Sequence, residues 1–378
     1  MTTVLLTLGR LPKALDLARG FARIGCRVIV AEPFPRHLAG ASNCVARNYV
    51  VPAPNDDREA YLASLLKIIM DEAVDWVIPV SEETVHAAYL RDRLPLNVTL
   101  FTMPPDRVLA LYDKRRFIEV GQEYGVAVPE TYRLGSTQAA DMAAARDVVV
   151  KPIFSCSGRG LAILRRGEAL PAPDPDDPAI VQSFVPGTTF STCSIARDGR
   201  VIATAIYRGT LMSGTVAVAF VRVDDQSAIS SWIDRFVAAS GWTGFISFDF
   251  IRDNSGTVFA IECNPRTTSG VHFWEPEDVA KAVLDTTGET RVRNRPEATF
   301  QQFYSCLTET QMALFRGDHF LERVKQLFTT RDVTWDRRDP WPFLGMILNS
   351  WHIIMLSIRR RSTFGEVATL DISWRERA

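Results

Sequence analysis

The sequence predicts a mixed α/β and α+β fold, and three patterns carry this prediction. At the start of the chain, apolar runs of strand length alternate with helical segments, which is the order of a parallel sheet with right-handed crossovers. Further along, β-branched and aromatic runs follow one another across short turns, which indicates antiparallel strands. Helical patterns dominate the end of the chain. We therefore expect an N-terminal parallel α/β domain over residues 1–105, a central region over 106–290 and a mainly helical extension over 291–378.

The composition is that of a globular protein and argues against several kinds of partner. The chain has 378 residues, of which 47% are hydrophobic and 23% charged, with a formal net charge of −1. No basic field therefore points to nucleic acid. Six scattered cysteines form no CxxC pair and five histidines form no HExxH cluster, which argues against zinc or disulfides. With no basic flank before the first apolar run, we expect a cytoplasmic protein.

The first predicted strand–helix–strand unit occupies Thr3–Leu8, Lys13–Ile24 and Arg27–Ala31. Its glycine turn, Gly9-Arg10, lacks the GxGxxG spacing of a dinucleotide site. The turn either presents backbone N–H groups to an acidic substrate at the helix N-terminus or is merely structural. The sequence leaves both interpretations open.

The loop Ser81–Thr84 follows another predicted strand, Trp76–Val80. Ligands gather at the carboxyl ends of parallel strands, so Glu82 or Glu83 is a binding candidate. The same residues are typical of a helix N-cap with favourable first-turn charges, and we prefer this second interpretation.

A lysine-ended strand followed by a small-residue loop predicts a phosphate site. The strand Asp147–Pro152 carries Lys151, and the loop Ser155–Gly160 follows directly. Such a lysine is either a solvated charge or a point charge aimed at phosphate, and the loop backbone can lie close over phosphate oxygens. Because both elements would touch the same polyphosphate, we favour phosphate binding. The predicted contacts are Lys151, Ser157, Gly158, Arg159 and Gly160.

The most informative stretch is 244–266, where two strand-like runs flank a turn cluster and predict an antiparallel hairpin. Each run carries one acid, Asp249 and Glu262, which the fold-back would bring close together. With Asn264 behind them, three oxygen-bearing side chains would converge on a cation such as Mg²⁺. Arg266 would serve an anion bound to the same metal. The alternative is a buried, ion-paired hairpin.

This spacing, an Asp, a Glu thirteen residues later and then Asn-Pro-Arg, resembles the metal-binding end of the ATP-grasp ligases. A helix predicted over Asp106–Tyr124 contains Tyr-Asp-Lys, ending at Lys114, and resembles the entry to their nucleotide-binding region. The resemblance implies an ATP-grasp fold that binds ATP with Mg²⁺, or with Mn²⁺ in its place. Lys114 would then reach the nucleotide phosphates.

The resemblance also implies where the rest of the nucleotide binds. The segment beside the adenine would consist of Gln182, Ser183, Phe184 and Val185. The family usually has a ribose-binding glutamate at the position of Thr189, so this chain departs from the pattern there.

Within the superfamily the chain is similar to the carbamoyl-phosphate-synthase-like ligases. More narrowly, it resembles the mycosporine-glycine synthetase type. Residues 42–54, 244–267 and 339–344 carry that narrower likeness.

The implied reaction is an ADP-forming C–N ligation. A small carboxylate or enolic acid is phosphorylated by ATP, and an amine or amino acid then displaces phosphate. The hairpin acids and Asn264 would hold the metal while Lys114 and Lys151 supply positive charge. Lys151 and Arg266 are the expected catalytic residues, with Arg266 on the oxyanion of the acceptor or on the leaving phosphate.

Two other functions compete with this one. The first is a bicarbonate-activating, carboxylase-type enzyme. The sequence shows no second ATP-grasp half and no biotinyl-carrier stretch, which argues against this function. The second is a non-catalytic ATP-binding or membrane-attached scaffold, favoured by Thr189 and by the C-terminal extension. The set of converging metal ligands argues against a scaffold.

The C-terminal extension contains an uncharged segment, Phe343–Ile358, followed by Arg359–Arg361. At sixteen residues it is short of the roughly 20 needed to span a bilayer. It predicts a helix that packs on the body or forms a homodimer contact. Peripheral contact of residues 343–361 with an anionic membrane is the less favoured alternative.

Overall fold

The computed structural model describes residues 1–155, 158–316, 320–361 and 364–374 of the chain. The first sheet contains β1 (Thr3–Leu6), β2 (Arg27–Glu32), β3 (Arg47–Val50), β4 (Trp76–Ile78) and β5 (Thr99–Leu100). Its order is β3-β2-β1-β4-β5, and all of its neighbouring strands are parallel. The predicted parallel N-terminal sheet is confirmed.

Two further sheets make up the middle of the chain. The smaller has the order β6-β9-β7-β8, from β6 (Thr131–Arg133), β7 (Val148–Pro152), β8 (Ala162–Leu164) and β9 (Ala179–Ser183). The larger contains β10 (Gly187–Arg197), β11 (Arg200–Ser213), β12 (Val216–Arg222), β13 (Gly244–Asp253), β14 (Val258–Asn264), β15 (Thr299–Gln301) and β16 (Arg331–Asp332). Its order is β14-β13-β10-β11-β12-β15-β16, and it is antiparallel except at the β15–β16 pair.

The α-helices cover the first sheet, support the hairpin and form most of the end of the chain. They are α1 (Pro12–Arg23), α2 (Arg58–Asp71), α3 (Thr84–Ala87), α4 (Pro105–Tyr112), α5 (Lys114–Glu123), α6 (Thr137–Ala145), α7 (Ser227–Ser240), α8 (Pro276–Leu284), α9 (Phe303–Arg316), α10 (Phe320–Thr329), α11 (Trp341–Leu344), α12 (Met346–Asn349), α13 (Trp351–Arg360) and α14 (Phe364–Val367). Short 3-10 helices occupy Ala39–Ala41, Ala88–Arg93 and Ser269–Phe273.

Two hydrophobic cores fix the position of the seven-stranded sheet. The first joins it to the parallel sheet, with Leu6 and Val30 sharing one cluster with Ile195 and Phe245. The second lies under the β13–β14 hairpin, where Trp232 of α7 packs among aromatic rings 5.0–6.5 Å away. Because burial of large aromatic side chains is strongly stabilising, this second core holds the hairpin rigidly.

The prediction of a single helix over Asp106–Tyr124 is wrong, because the helix is interrupted at Asp113. This residue has a non-helical ψ of 111° and ends α4. Its side chain accepts a hydrogen bond from the Arg116 N–H, at 2.9 Å, and so caps α5. The cap places Lys114 at the first position of the new helix.

The uninterrupted helix predicted over Phe343–Ile358 is also wrong. The segment forms α11, α12 and α13, separated at Gly345 and Ser350, neither of which has helical dihedrals. Its side chains pack on the body only in part: Ile353 is buried in a cluster with Leu11 and Phe34, whereas Leu344, Ile347, Leu348, Trp351 and Ile358 are exposed. No helix of the described part of the chain is both long and apolar enough to cross a membrane.

The end of the chain, residues 364–374, returns to the N-terminal sheet, and we call it the C-terminal segment. Arg10 binds Asp371 through two hydrogen bonds of 2.7 and 2.9 Å. Asn55 donates to the main-chain carbonyls of residues 370 and 371. The Trp374 ring lies 6.1 Å from the Tyr89 ring in a stacked arrangement. These contacts fix the C-terminal segment against the first sheet.

Candidate functional site

The β13–β14 hairpin brings the two predicted acids together. Asp249 is directly opposite Glu262 in the antiparallel register, which confirms the predicted pairing. The neighbouring Phe248 and Phe250 are buried in the aromatic core, so the strand's alternation turns Asp249 to the other face. The register shifts between Asp249 and Phe250, an irregularity of the kind that re-aims side chains near functional sites.

Asp249 is held by two donors and repelled by the second acid. Ser191 Oγ donates to Asp249 Oδ1 at 2.6 Å, and Asn264 Nδ2 donates to Oδ2 at 3.2 Å. Burial and, next, the negative charge of Glu262 raise the pKa of Asp249 to about 6. A divalent cation between the carboxylates would offset this repulsion, and oxygen donors are the ligands that Mg²⁺ prefers. The two acids therefore fit a magnesium site.

Asn264, the third predicted ligand, is engaged elsewhere. Its Oδ1 accepts a hydrogen bond from Arg266 Nη2 at 2.9 Å, so this oxygen would have to change partner to bind a metal. No group of three or more His, Cys, Asp or Glu side chains comes together among the described residues. A cation at this place would therefore rest on the two acids and the Asn264 amide.

Both predicted lysines lie beside these acids. Lys114 Nζ is 3.1 Å from Glu262 Oε1 and donates to the Ser155 carbonyl at 2.5 Å. Lys151 Nζ donates to the Ile261 carbonyl at 2.8 Å. Burial lowers the pKa of Lys151 to about 8, although the charge of Glu262 opposes this shift. Two buried ammonium groups thus face the hairpin from elements distant in sequence.

The hairpin acids line a cavity of about 480 Å³. We call Asp249, Glu262 and Asn264 its hairpin wall. Gly158 also lines it, with a φ of +67° that favours glycine, and a Cβ there would lie 3.0 Å from Thr215 Cβ. Thr189 is an exposed part of the same lining. Arg159 and Gly160 are described by the structure but do not line the cavity. The predicted contact Ser157 is not among the described residues.

The segment Gln182–Val185, predicted to lie beside adenine, is not among the described residues that line this cavity. The side chain of Gln182 donates from Nε2 to Thr131 Oγ1 at 2.9 Å. The N–H groups of Ser183 and Phe184 donate to main-chain carbonyls of residues 130 and 147. Their adenine role stays a prediction, and those two N–H groups are already bonded within the protein.

A second wall of the cavity combines the candidates Glu82 and Arg266 with Lys13, which was not predicted. It consists of Lys13, Ser81, Glu82 and Arg266, and we call it the Lys13 wall. Arg266 Nη2 donates to Glu82 Oε1 at 2.5 Å. Because Arg266 also donates to Asn264 Oδ1, it joins this wall to the hairpin wall. The C-terminal segment completes the enclosure with Phe364, Gly365, Ala368 and Thr369.

The preferred N-cap interpretation of the Ser81–Thr84 loop is wrong. No side-chain cap hydrogen bond is present at α3. Glu83 instead accepts bonds from the N–H groups of Val80 and Ser81 and from Thr7 Oγ1. Glu82, which the strand-end rule made a binding candidate, lines the cavity, and its binding role stays a prediction.

The Gly9-Arg10 turn is structural. Both of its N–H groups donate to Glu32 Oε2 at 3.0 Å, so they are not directed at a substrate. The Arg10 guanidinium is buried between Glu32 and Asp371. The sequence carried no specific signal for Lys13, three residues further on, beyond its place near the start of a helix that follows a parallel strand.

Comparison with known proteins identifies the architecture. Residues 111–270 match the family model of the ATP-grasp domain. The chain has the ATP-grasp fold.

Among solved structures, this ATP-grasp chain is similar to N5-carboxyaminoimidazole synthetase from Staphylococcus aureus, with a TM-score of 0.59 and 12% identity over 78% of this chain and 80% of that one. It is similar to the biotin carboxylase domain dimer of 2-oxoglutarate carboxylase from Hydrogenobacter thermophilus, solved with MgADP, ADP and bicarbonate; the TM-score is 0.59 and the identity 16% over 77% and 70% of the two chains. It is also similar to L-amino acid ligase from Bacillus licheniformis, with a TM-score of 0.58 and 17% identity over 77% of each chain.

Proposed function

We propose that this protein is an ATP-dependent, ADP-forming ligase that couples a small carboxylate or enolic acid to an amine or amino acid. The observation that carries the proposal is the pairing of Asp249 with Glu262 across the hairpin, with Lys114 Nζ 3.1 Å from Glu262. The ATP-grasp match over residues 111–270 supports ATP as the phosphoryl donor. The narrower likeness to the mycosporine-glycine synthetase type favours an enolic acid and an amino acid. We propose a cytoplasmic location, where ATP is available.

The residues of the hairpin wall would hold Mg²⁺, which neutralises charge on the triphosphate when bound. Lys114 and Lys151, which lie beside the hairpin, would add positive charge near the phosphates. An oxygen of the acid attacks the γ-phosphorus and ADP departs. The amine nitrogen then forms a bond to the phosphorylated carbon, and the C–O bond to phosphate breaks. Arg266, which lines the cavity, would hold the oxyanion of the acceptor or the departing phosphate.

Turnover is the property that separates this function from an ATP-binding scaffold. We expect ADP release from Mg-ATP to rise with at least one pair in a panel of acids, bicarbonate included, and amines. Asp249→Asn and Glu262→Gln should each lower that rate at least about 100-fold, because each removes a charge facing the metal and phosphates. Stimulation by bicarbonate without an amine would instead favour the carboxylase-type reaction.

The matched control is Asp234→Asn, since Asp234 is an exposed acid on α7 outside the cavity lining. Its ADP release should equal that of the wild type. No stimulation by any pair, or equal rates in all three variants, would contradict the ligase and favour the scaffold.

The exposed apolar surface of residues 341–358 supports a contact outside the chain, because monomers seldom expose large apolar patches. We propose a homodimer through this surface. Peripheral binding to an anionic membrane next to Arg359–Arg361 is the alternative.

A further inference from the structure

Lys13 is a buried lysine with no carboxylate partner among the described residues, and burial, followed by the charge of Arg266, lowers its pKa to about 7. Its side chain comes from the first turn of α1 and is 8% exposed. Within the described residues, the one hydrogen bond of Nζ goes to the Thr267 carbonyl at 2.8 Å, and no carboxylate oxygen lies within ion-pair distance. An ammonium group has three donors, so its capacity is only partly used. A buried charge of this kind is costly unless an anion compensates it.

The acids near Lys13 are committed to other groups. Asp16, one turn along α1, binds His272 Nδ1 at 2.6 Å and Arg295 Nη2 at 3.1 Å. Glu82 binds Arg266, and Glu83 accepts its bonds from main-chain N–H groups and a threonine. The charge of Arg266 also bears on Lys13, so two cations lie close together on the cavity wall.

The C-terminal segment limits what can reach these cations. Gly365 packs so tightly on β12 that a Cβ would lie 2.8 Å from a methyl carbon of Val216. Ala368 and Thr369 continue the lining and are buried. The Arg10–Asp371 ion pair holds this segment in place. The C-terminal segment therefore narrows the cavity that Lys13 lines, and a cavity of about 480 Å³ suits a small ligand.

We propose that Lys13, together with Arg266, binds the carboxylate of a small substrate in this cavity. The inference rests on the proposed function, which it deepens by making Lys13 a specificity-determining residue. The carboxylate belongs either to the acid that is phosphorylated or to an amino acid that supplies the amine. Both share the same recognition chemistry, a charge-assisted hydrogen bond from a buried cation.

Equilibrium binding tests the inference without requiring turnover. Acetate, succinate, glycine and ethylamine are titrated calorimetrically into the full-length protein with Mg²⁺ and a non-hydrolysable ATP analogue. We expect at least one carboxylate to bind the wild type and to bind Lys13→Met about 10-fold more weakly or worse, the loss typical of one charged hydrogen bond. Lys13→Arg should restore part of the affinity, and ethylamine should show no dependence on residue 13.

The choice of titrated ligands shows whether the bound carboxylate belongs to the acid or to an amino acid. Binding of acetate or succinate assigns the subsite to the acid, and binding of glycine alone assigns it to an amino acid. Lys67→Met, at an exposed lysine of α2, is the control and should bind as the wild type does. A melting temperature no lower than that of the wild type shows that Lys13→Met is folded. If no carboxylate binds the wild type, or if Lys13→Met binds equally well, the inference is wrong. Carboxylate binding through Lys13 without any ADP release would instead keep the subsite and overturn the ligase.

Discussion

The two walls of the cavity are built in opposite ways. The hairpin wall takes its ligands from one local structure, in which Asp249 and Glu262 are joined by a single turn. The Lys13 wall combines α1 with the Ser81–Glu82 loop and with Arg266, and the C-terminal segment encloses it. A local hairpin leaves a readable pattern of alternation and spacing, whereas an assembly of distant segments leaves none. Under the proposed function, the local hairpin wall would carry the phosphate chemistry and the wall built from distant segments would select the substrate.

The largest expected effect is a loss of stability in Asp371→Asn, which tests how the C-terminal segment is held beside the Lys13 wall. This change weakens the ion pair between residue 371 and Arg10. The Arg10 side chain is almost fully buried, and Glu32 remains as its partner. We expect a loss of about 2 kcal/mol in the free energy of unfolding, measured by urea titration. Amide exchange at Asn55, whose N–H donates to the Asp371 carbonyl, should become faster.

Asp92→Asn is the control, because Asp92 is an exposed acid in the Ala88–Arg93 helix. It should change neither quantity. Unchanged stability in Asp371→Asn would mean that the C-terminal segment is not held by this ion pair.

A smaller effect should come from Arg266→Lys, which tests the residue shared by both walls. Lysine keeps the charge but cannot reach Asn264, Glu82 and the Thr267 carbonyl together as the guanidinium does. We expect kcat/KM for the acid substrate to fall about tenfold, with less change in KM for ATP. The readout is ADP release at varied acid and at varied ATP.

Arg208→Lys serves as its control, since Arg208 is an exposed arginine on β11. Equal losses in the two variants would indicate a general effect of arginine replacement rather than a contact in the cavity.

The smallest expected effect is a change in the free energy of unfolding of Asp249→Asn, measured in the absence of metal. The pKa of Asp249, about 6 in the folded protein, lies above its ordinary value, so ionisation opposes folding above pH 6. As the pH falls towards 4 the carboxylate is protonated and this cost disappears. In EDTA at pH 7 we therefore expect the asparagine variant to be more stable by about 1 kcal/mol, a difference that shrinks towards pH 4.

Asp253→Asn on the same hairpin should behave in the opposite way. Hydrogen bonds from Ser255 and Thr257 lower the pKa of Asp253, so its ionised form favours folding above its ordinary pKa. Urea titrations of both variants from pH 4 to 7 would check the contrast. A destabilised Asp249→Asn at pH 7 would contradict the repulsion between the hairpin acids.

Much of the fold follows from periodicity. The parallel first sheet and the antiparallel hairpin were predictable because alternation and turn residues act over a few positions. The helix boundaries at Asp113 and within 341–360 were not, since a side-chain cap and a few non-helical dihedrals outweigh an otherwise continuous helical pattern. Burial of the C-terminal helices was only partly predictable, because an apolar composition does not say which of their side chains meet a surface and which stay exposed.

The sequence by itself determined the hairpin, the opposition of Asp249 to Glu262 and the presence of two lysines among phosphate-binding candidates. Only the tertiary structure placed Lys114 beside Glu262, Glu82 on Arg266, and Lys13 with the C-terminal segment around one cavity. The reason is physical. Strand pairing across a turn is fixed by local register, whereas contacts between residues distant in sequence depend on how whole sheets pack through their shared cores.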